Sequence, residues 1–298
     1  MSSTTPITLR QSIATAAAEL ETANVAFGHG TDNAYDEAAW LVLWALQLPL
    51  DSDLEGNTGD TLLDSTQLQR IADLTHKRIT LRKPAAYLTQ EAWLYGVPFY
   101  IDERSIVPRS LIAGPIADGT LDHWLSDRTH RVLDICTGNG SLAILAALAW
   151  PEVQVDAVDI SSDALDVARI NIEKHDLVQR IRLIESNSLN ALSPQDQYDL
   201  VLCNPPYVNS ASMAALPQEY LAEPALALAG GADGMDFIRP LLQQLPQHMT
   251  EEAIVVLEIG NERGYFEQSF PQLNPIWLDT NGNHDAVLVL TKKDLLLI

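Results

Sequence analysis

A doubly wound α/β sheet preceded by a small helical domain is the fold class this sequence predicts, on three observations. From Arg131 onward, short apolar runs rich in β-branched residues alternate with amphipathic helical stretches, as parallel strands joined by helices do. Residues 8–92 hold no clear strand and place apolar residues at helical spacing. The first strand of the alternating part, "RVLDIC", runs straight into Gly138-Asn139-Gly140 and then a helix, the turn by which open α/β sheets approach ligands.

The elements follow in order. "LRQSIATAAAELETANVAF" is Ala-rich with a helical apolar stripe. Asp32 or Asn33 can cap a second helix, "AYDEAAWLVLWALQL", which Pro49 closes. Trp40 and Trp44 are i, i+4 on its face and read as core. A third helix fits "STQLQRIADLTHKRITLR" and ends before Pro84. In "AWLYGVPFYIDERSIVPRS", aromatic and β-branched residues flank Gly96-Val97-Pro98 and predict a hairpin. Strands "QVDAVDI", "IRLIES" and "YDLVLC" follow, with "SDALDVARINIEKH" as a helix between the first two. After a long loop come a helix near 234–249 and the strand "AIVVLEIG". "NPIWLDT" and "AVLVLTK" flank a turn at Asn281–His284 and predict an antiparallel edge pair. The expected domains are a helical one over 1–91, a hairpin bridge over 92–113 and the α/β domain over 114–298.

The 298 residues are 47% hydrophobic and 19% charged, enough for a substantial core. The formal net charge is −22. Such a surface repels nucleic-acid backbones, so no direct nucleic-acid binding is expected. It attracts basic partners, or serves solubility alone. The two cysteines, Cys136 and Cys203, have no metal-ligand spacing and read as buried thiols at strand ends. No metal site is expected. The first 30 residues lack a basic segment followed by an apolar core, and "AAWLVLWALQLPL" is too short for a membrane span. A cytoplasmic location is the expectation.

Gly138-x-Gly140-x-x-Ala143 matches the loose dinucleotide fingerprint. Asp159 ends the second strand, 19 residues beyond Gly140, where a carboxylate can accept both hydroxyls of a ribose. Nicotinamide and S-adenosylmethionine enzymes share that device. Asp134 discriminates better. At the first strand's end it can face a cation such as a methionine ammonium and would repel a pyrophosphate; otherwise it is a turn-capping carboxylate.

The fourth strand ends on Asn204-Pro205-Pro206-Tyr207. Pro-Pro cannot continue a ladder, so this is a rigid loop at a strand's carboxyl end. A planar amide or aromatic amine has a delocalised lone pair. Two acceptors must take its N–H groups to orient it toward a methyl donor. The Asn204 side-chain oxygen and the Pro205 carbonyl can do so, fixed by Pro206, while Tyr207 packs against the planar group. The alternative is a structural Pro-Pro turn.

"NPPY" after the fourth strand, with "DICTGNG" after the first, resembles the class I S-adenosylmethionine-dependent protein N5-glutamine methyltransferase family, whose methyltransferase domain is Rossmann-like. The resemblance runs nearly end to end, and "AEPALALAGGADGMDF" and "VLEIGNE" match later family motifs. "RKPAAYLTQEAWLYGVPFYIDERSIVPRS" is similar to the branch acting on large-subunit ribosomal protein L-three. The release-factor branch reads Pro-Arg-Pro-Glu-Thr-Glu where this chain has Pro108-Arg109-Ser110-Leu111-Ile112. The resemblance implies S-adenosylmethionine as cofactor, with Asp134, Gly138 and Gly140 at its methionine end, Asp159 at the ribose and Asn187 beside the adenine. It implies Thr137, Ile160 and Ser188 as further cofactor-binding residues. Asn204 would touch both cofactor and glutamine amide, and the helical domain would recognise substrate. Arg109 would stand near the cofactor entrance or be a surface charge. Two departures are present: Asn187 stands where the family usually has Asp, and Gly114-Pro115 replaces an acidic stretch.

Other readings are release-factor glutamine methylation, adenine N6-methylation of nucleic acid, a non-catalytic binding protein and a nicotinamide enzyme. The charge opposes the second, and intact Asn204 with both glycines opposes the third.

Overall fold

The structure, a computed structural model, describes residues 6–280 and 282–298; Asn281, in the expected edge turn, lies outside them. The chain divides into two units. One runs to Glu91 and also takes Pro217–Ala222; the other comprises Ala92–Leu216 and Glu223–Ile298. The hairpin over which a bridge was expected belongs to the second unit.

In the first unit, α1 (Leu9–Thr22) starts at a capping box between Thr8 and Gln11. Asn33 caps α2 (Ala34–Leu46), which stops at left-handed Gln47, two residues before Pro49. Asp64 and Gln67 form a second capping box on α3 (Ser65–Leu81). A short α4 (Ala85–Thr89) follows Pro84 and was not expected, since five residues are too few to show a period. Leu9, Ile13, Leu20, Leu41, Leu43 and Ile71 fill the core. Trp40 is buried, but Trp44 is 39% exposed. Burial along α2 ends at Leu43, one position earlier, which corrects the expectation that both tryptophans pack inside. Fully buried Arg78 donates to Glu37 (2.7 Å), Glu219 (3.2 Å) and the Ala26 carbonyl (2.8 Å). This network is what ties residues 217–222 into the helical unit.

In the second unit, β1 (Glu91–Leu94) and β2 (Val97–Tyr100) are joined by Tyr95-Gly96, both left-handed. Val97 and Pro98 are therefore strand residues. Gly114 sits in α5 (Ala113–Ala117), where a Cβ would lie 2.6 Å from the Tyr95 hydroxyl oxygen. That departure from the family pattern has a packing cause.

The alternating segment gives β3 (Arg131–Ile135), α6 (Ser141–Ala149), β4 (Gln154–Asp159), α7 (Ser162–Lys174), β5 (Ile181–Glu185) and β6 (Tyr198–Cys203). It continues with α8 (Ser210–Ala214), α9 (Ile238–Gln244), β7 (Met249–Glu258), α10 (Arg263–Ser269), β8 (Ile276–Trp277), β9 (Val287–Thr291) and α11 (Lys292–Leu295). α9 is shorter than expected: it passes into a 3-10 turn at Leu245–His248, where Pro246 supplies no N–H. The sheet has seven strands in the order β5-β4-β3-β6-β7-β9-β8. β9 runs antiparallel to β7 and β8, and the other pairs are parallel. Alternation along β6 sends Leu200 and Leu202 to one core layer, Val201 and Cys203 to the other. The chain winds outward from β3 through β5, then returns to β6 on the other side of β3. That reversal opens a crevice beyond the strands' carboxyl ends. No helix among the described residues is long and apolar enough to cross a membrane.

Candidate active site

A cleft of about 870 Å³, counted to its open mouth, lies at the carboxyl ends of β3, β4 and β6. Its walls are Cys136 and Gly138 after β3, Asp159–Ser161 at β4, Ser186–Ser188 after β5, Asn204 and Pro206 after β6, and Arg104–Ile106. Pro224, Leu226, Ala227 and Phe237 close the remaining side. Two wall residues, Cys136 (φ 60) and Ser188 (φ 55), hold left-handed backbone without being glycine. Such conformations cost about 1–3 kcal/mol each and gather at functional sites.

Asp159 accepts the Gly138 N–H on one oxygen and the Ser161 N–H on the other, both at 2.9 Å. Burial raises its carboxyl above the usual range, and these backbone donors oppose the rise. Each oxygen keeps a lone pair for a further donor. Gly138 is left-handed (φ 56), and a Cβ there would sit 3.1 Å from Ser105 Oγ, so the turn closes against the cleft wall only as glycine.

Asp134 does what a turn-capping carboxylate does. Fully buried, its Oδ2 accepts from the Thr137 hydroxyl (2.5 Å) and from the Ala143 N–H in the first turn of α6 (3.0 Å). Burial pushes it up to about 7, against those two donors, with the Asp159 charge adding to the rise. Asp134, Thr137 and Gly140, expected to bind cofactor, do not line the cleft. The helix amide draws the carboxylate beneath the loop. Gly140 instead admits α7: a Cβ on it would be 3.2 Å from the Ala168 Cβ.

Within the Pro-Pro loop, Asn204 and Pro206 face the cleft. Pro205 is buried. Tyr207 is not on the wall either; its hydroxyl donates to Glu258 Oε1 at 3.0 Å. Arg109 is neither a surface charge nor a wall residue. It grips Glu223 with both outer nitrogens, at 2.6 and 2.7 Å. Glu223 also accepts the Val107 N–H (3.0 Å), fastening the segment that carries Pro224–Ala227 to the Val107–Arg109 turn. Cys203 is buried, but Cys136 is half-buried on the wall, unlike the buried thiol expected. A hydrogen bond with the Cys203 thiol, followed by burial, raises Cys136 well above the usual thiol range. Sequence reasoning assigned no role to Arg104, Glu223, Phe237 or Glu258. The signal was present for all four, since each lies in a stretch noted only as matching a family pattern.

This fold, with a carboxylate-bearing cleft where its strand order reverses, is that of a class I methyltransferase. A family model described as "Methyltransferase small domain" matches residues 119–233. The hMettl16 catalytic domain, solved with a MAT2A 3'UTR hairpin, shares the fold at a TM-score of 0.51 and 13% identity, over 78% of this chain and 84% of that one. The chain is 53% identical to the ribosomal protein uL3 glutamine methyltransferase of Bordetella pertussis, over 97% of its length and 96% of the relative's. It is 44% identical to the protein of that name from Burkholderia pseudomallei, over 97% and 95%. The chain belongs to the ribosomal protein uL3 glutamine methyltransferase family and is a methyltransferase.

Proposed function

We propose that the chain methylates the side-chain amide nitrogen of a glutamine in ribosomal protein uL3, using S-adenosylmethionine held in the cleft between Asp159 and Asn204. The observation that carries this reading is that one cleft presents the Asp159 carboxylate, with Ile160 and Asn187 beside it, and the Asn204 amide. The substrate is carried over from the relatives' names.

The residues fit the cofactor. Asp159 has lone pairs to spare for two ribose hydroxyls, Ile160 and Ala164 give an apolar face for an adenine, and the Asn187 amide can bond its edge. When bound, S-adenosylmethionine supplies a methyl group on a sulfonium, a good leaving group. The chain's part is orientation. The Asn204 side-chain oxygen and the Pro205 carbonyl accept the two N–H bonds of the glutamine amide and fix its nitrogen toward the methyl. With S-adenosylmethionine bound, its methyl would pass to the glutamine nitrogen, S-adenosylhomocysteine would leave, and the nitrogen would release one proton to solvent. Methylation makes that N–H acidic, so no strong base is required of the loop. Pro224, Leu226, Ala227 and Phe237 supply an apolar wall. The −22 charge opposes a nucleic-acid substrate and suits a basic ribosomal protein.

The test is Asn204→Ala, assayed with uL3 purified from cells lacking this enzyme. Wild type should transfer methyl groups to uL3. The variant should lose at least about 100-fold in turnover, with S-adenosylhomocysteine affinity falling less, because the amide's main work is on the reacting nitrogen. Turnover within about threefold of wild type would overturn the orientation role.

A further inference from the structure

Tyr207 is held from two directions. Three glycines from two later segments press on it: a Cβ at Gly230 would lie 2.7 Å from its Cα, one at Gly234 2.3 Å from its carbonyl oxygen, and one at Gly260 2.5 Å from its ring Cε2. Its hydroxyl donates to Glu258 Oε1 (3.0 Å). The other oxygen of Glu258 accepts from the Ser110 hydroxyl (2.6 Å) and the Leu111 N–H (2.9 Å). Glu258 is 3% exposed and closes β7, whose Leu257 pairs with Cys203, the residue before Asn204.

A buried carboxylate needs donors, and here they come from two loops that both reach the cleft. Asn204 and Pro206 precede Tyr207, and Ser105 and Ile106 lie a few residues before Ser110. We propose that Glu258 is a positioning residue: through Tyr207 it fixes the Asn204–Tyr207 loop, and through Ser110 and Leu111 it locks that loop in register with the opposite cleft wall. Glu258 touches no substrate. Its effect on the reaction passes through the orientation of Asn204, and this inference rests on the function proposed above for that residue.

The variants are Glu258→Gln, isosteric with the native side chain, Tyr207→Phe, which removes one hydroxyl, and the double variant. Two measurements are made. One is uL3 methylation, separating kcat from KM. The other is amide hydrogen exchange of peptides covering 204–210 and 105–112, with S-adenosylhomocysteine affinity determined alongside. Exchange does not depend on the identity of the substrate. The expectation is a fall in kcat of at least about 10-fold in each single variant, KM for uL3 within about threefold, and no further loss in the double variant. Exchange should quicken in both peptides for Glu258→Gln and only in 204–210 for Tyr207→Phe. Unchanged exchange, or losses that multiply in the double variant, would overturn the proposal. A uniform loss of thermal stability and inhibitor affinity, with kcat falling only in proportion, would also overturn it by reducing Glu258 to a fold residue. Exchange changes as expected in a protein that leaves uL3 unmethylated would keep the anchoring role and remove the proposed substrate.

Discussion

Asp159 accepts one backbone N–H on each oxygen and still has capacity for two more donors. Asp159→Ala should weaken S-adenosylhomocysteine binding in calorimetry by about 1.5–3 kcal/mol, the worth of hydrogen bonds to a charged acceptor. An unchanged dissociation constant would remove the ribose from its account. Asp134 makes a different prediction because its carboxyl is raised from 3.8 to about 7. The native chain then keeps a proton that the unfolded chain has released, so this group lowers stability as pH climbs from about 4 to about 7, with no further change above. Asp134→Asn removes that term. Relative to wild type, the variant should gain stability across the window by at most about 1.4 kcal/mol per pH unit in urea unfolding. A difference that stays flat with pH would mean that the helix amide and Thr137 hold Asp134 ionised throughout. Both aspartates stood out in the sequence as charges ending apolar strands. Asp134's work did not, because its partner is the backbone amide of Ala143, which no residue type announces. The Tyr207 hydroxyl's partner was hidden for another reason: Glu258 is 51 residues away.

The central parallel strands β3, β4, β6 and β7 were legible because most of each is buried on both faces and reads as a largely apolar run. β5, at the sheet edge, is half exposed and was legible from its β-branched residues. α1 to α3 were legible from caps and period. What escaped was short or discontinuous. α4 and α5 span five residues each, and neither has room for a period. The attachment of Pro217–Ala222 to the helical unit depends on Glu219 meeting Arg78 and Arg82, which lie over a hundred residues earlier. At this scale Gly260 carries a prediction. It follows β7 with left-handed backbone (φ +54), and a Cβ would strike the Tyr207 ring. Gly260→Ala should cost about 1–3 kcal/mol in urea unfolding, from backbone strain, and should lower kcat by displacing the ring. Stability and turnover both equal to wild type would show that the loop after β6 has slack.

For the molecule as a whole, the −22 charge is the property most visible in the composition and least visible at any single residue. It should speed encounter with a basic substrate. With a Debye length near 10 Å at about 0.1 M salt, that advantage fades as salt rises. For uL3 as substrate, kcat/KM should fall between about 0.05 and 0.5 M salt while kcat changes little. A short neutral peptide bearing the target glutamine should respond far less. Equal responses would mean that the acidity serves solubility and that recognition is local to the glutamine. Methyl transfer to an amide nitrogen of that protein is the activity proposed for the Asn204 cleft. The decisive measurement is transfer of labelled methyl from S-adenosylmethionine to ribosomal proteins of cells lacking this enzyme, with the modified atom located by fragmentation mass spectrometry. A single methyl on the side-chain nitrogen of one glutamine of uL3 is the expected result. Label on a release factor, on a base of RNA or DNA, or on a carboxylate or lysine of uL3 would contradict it.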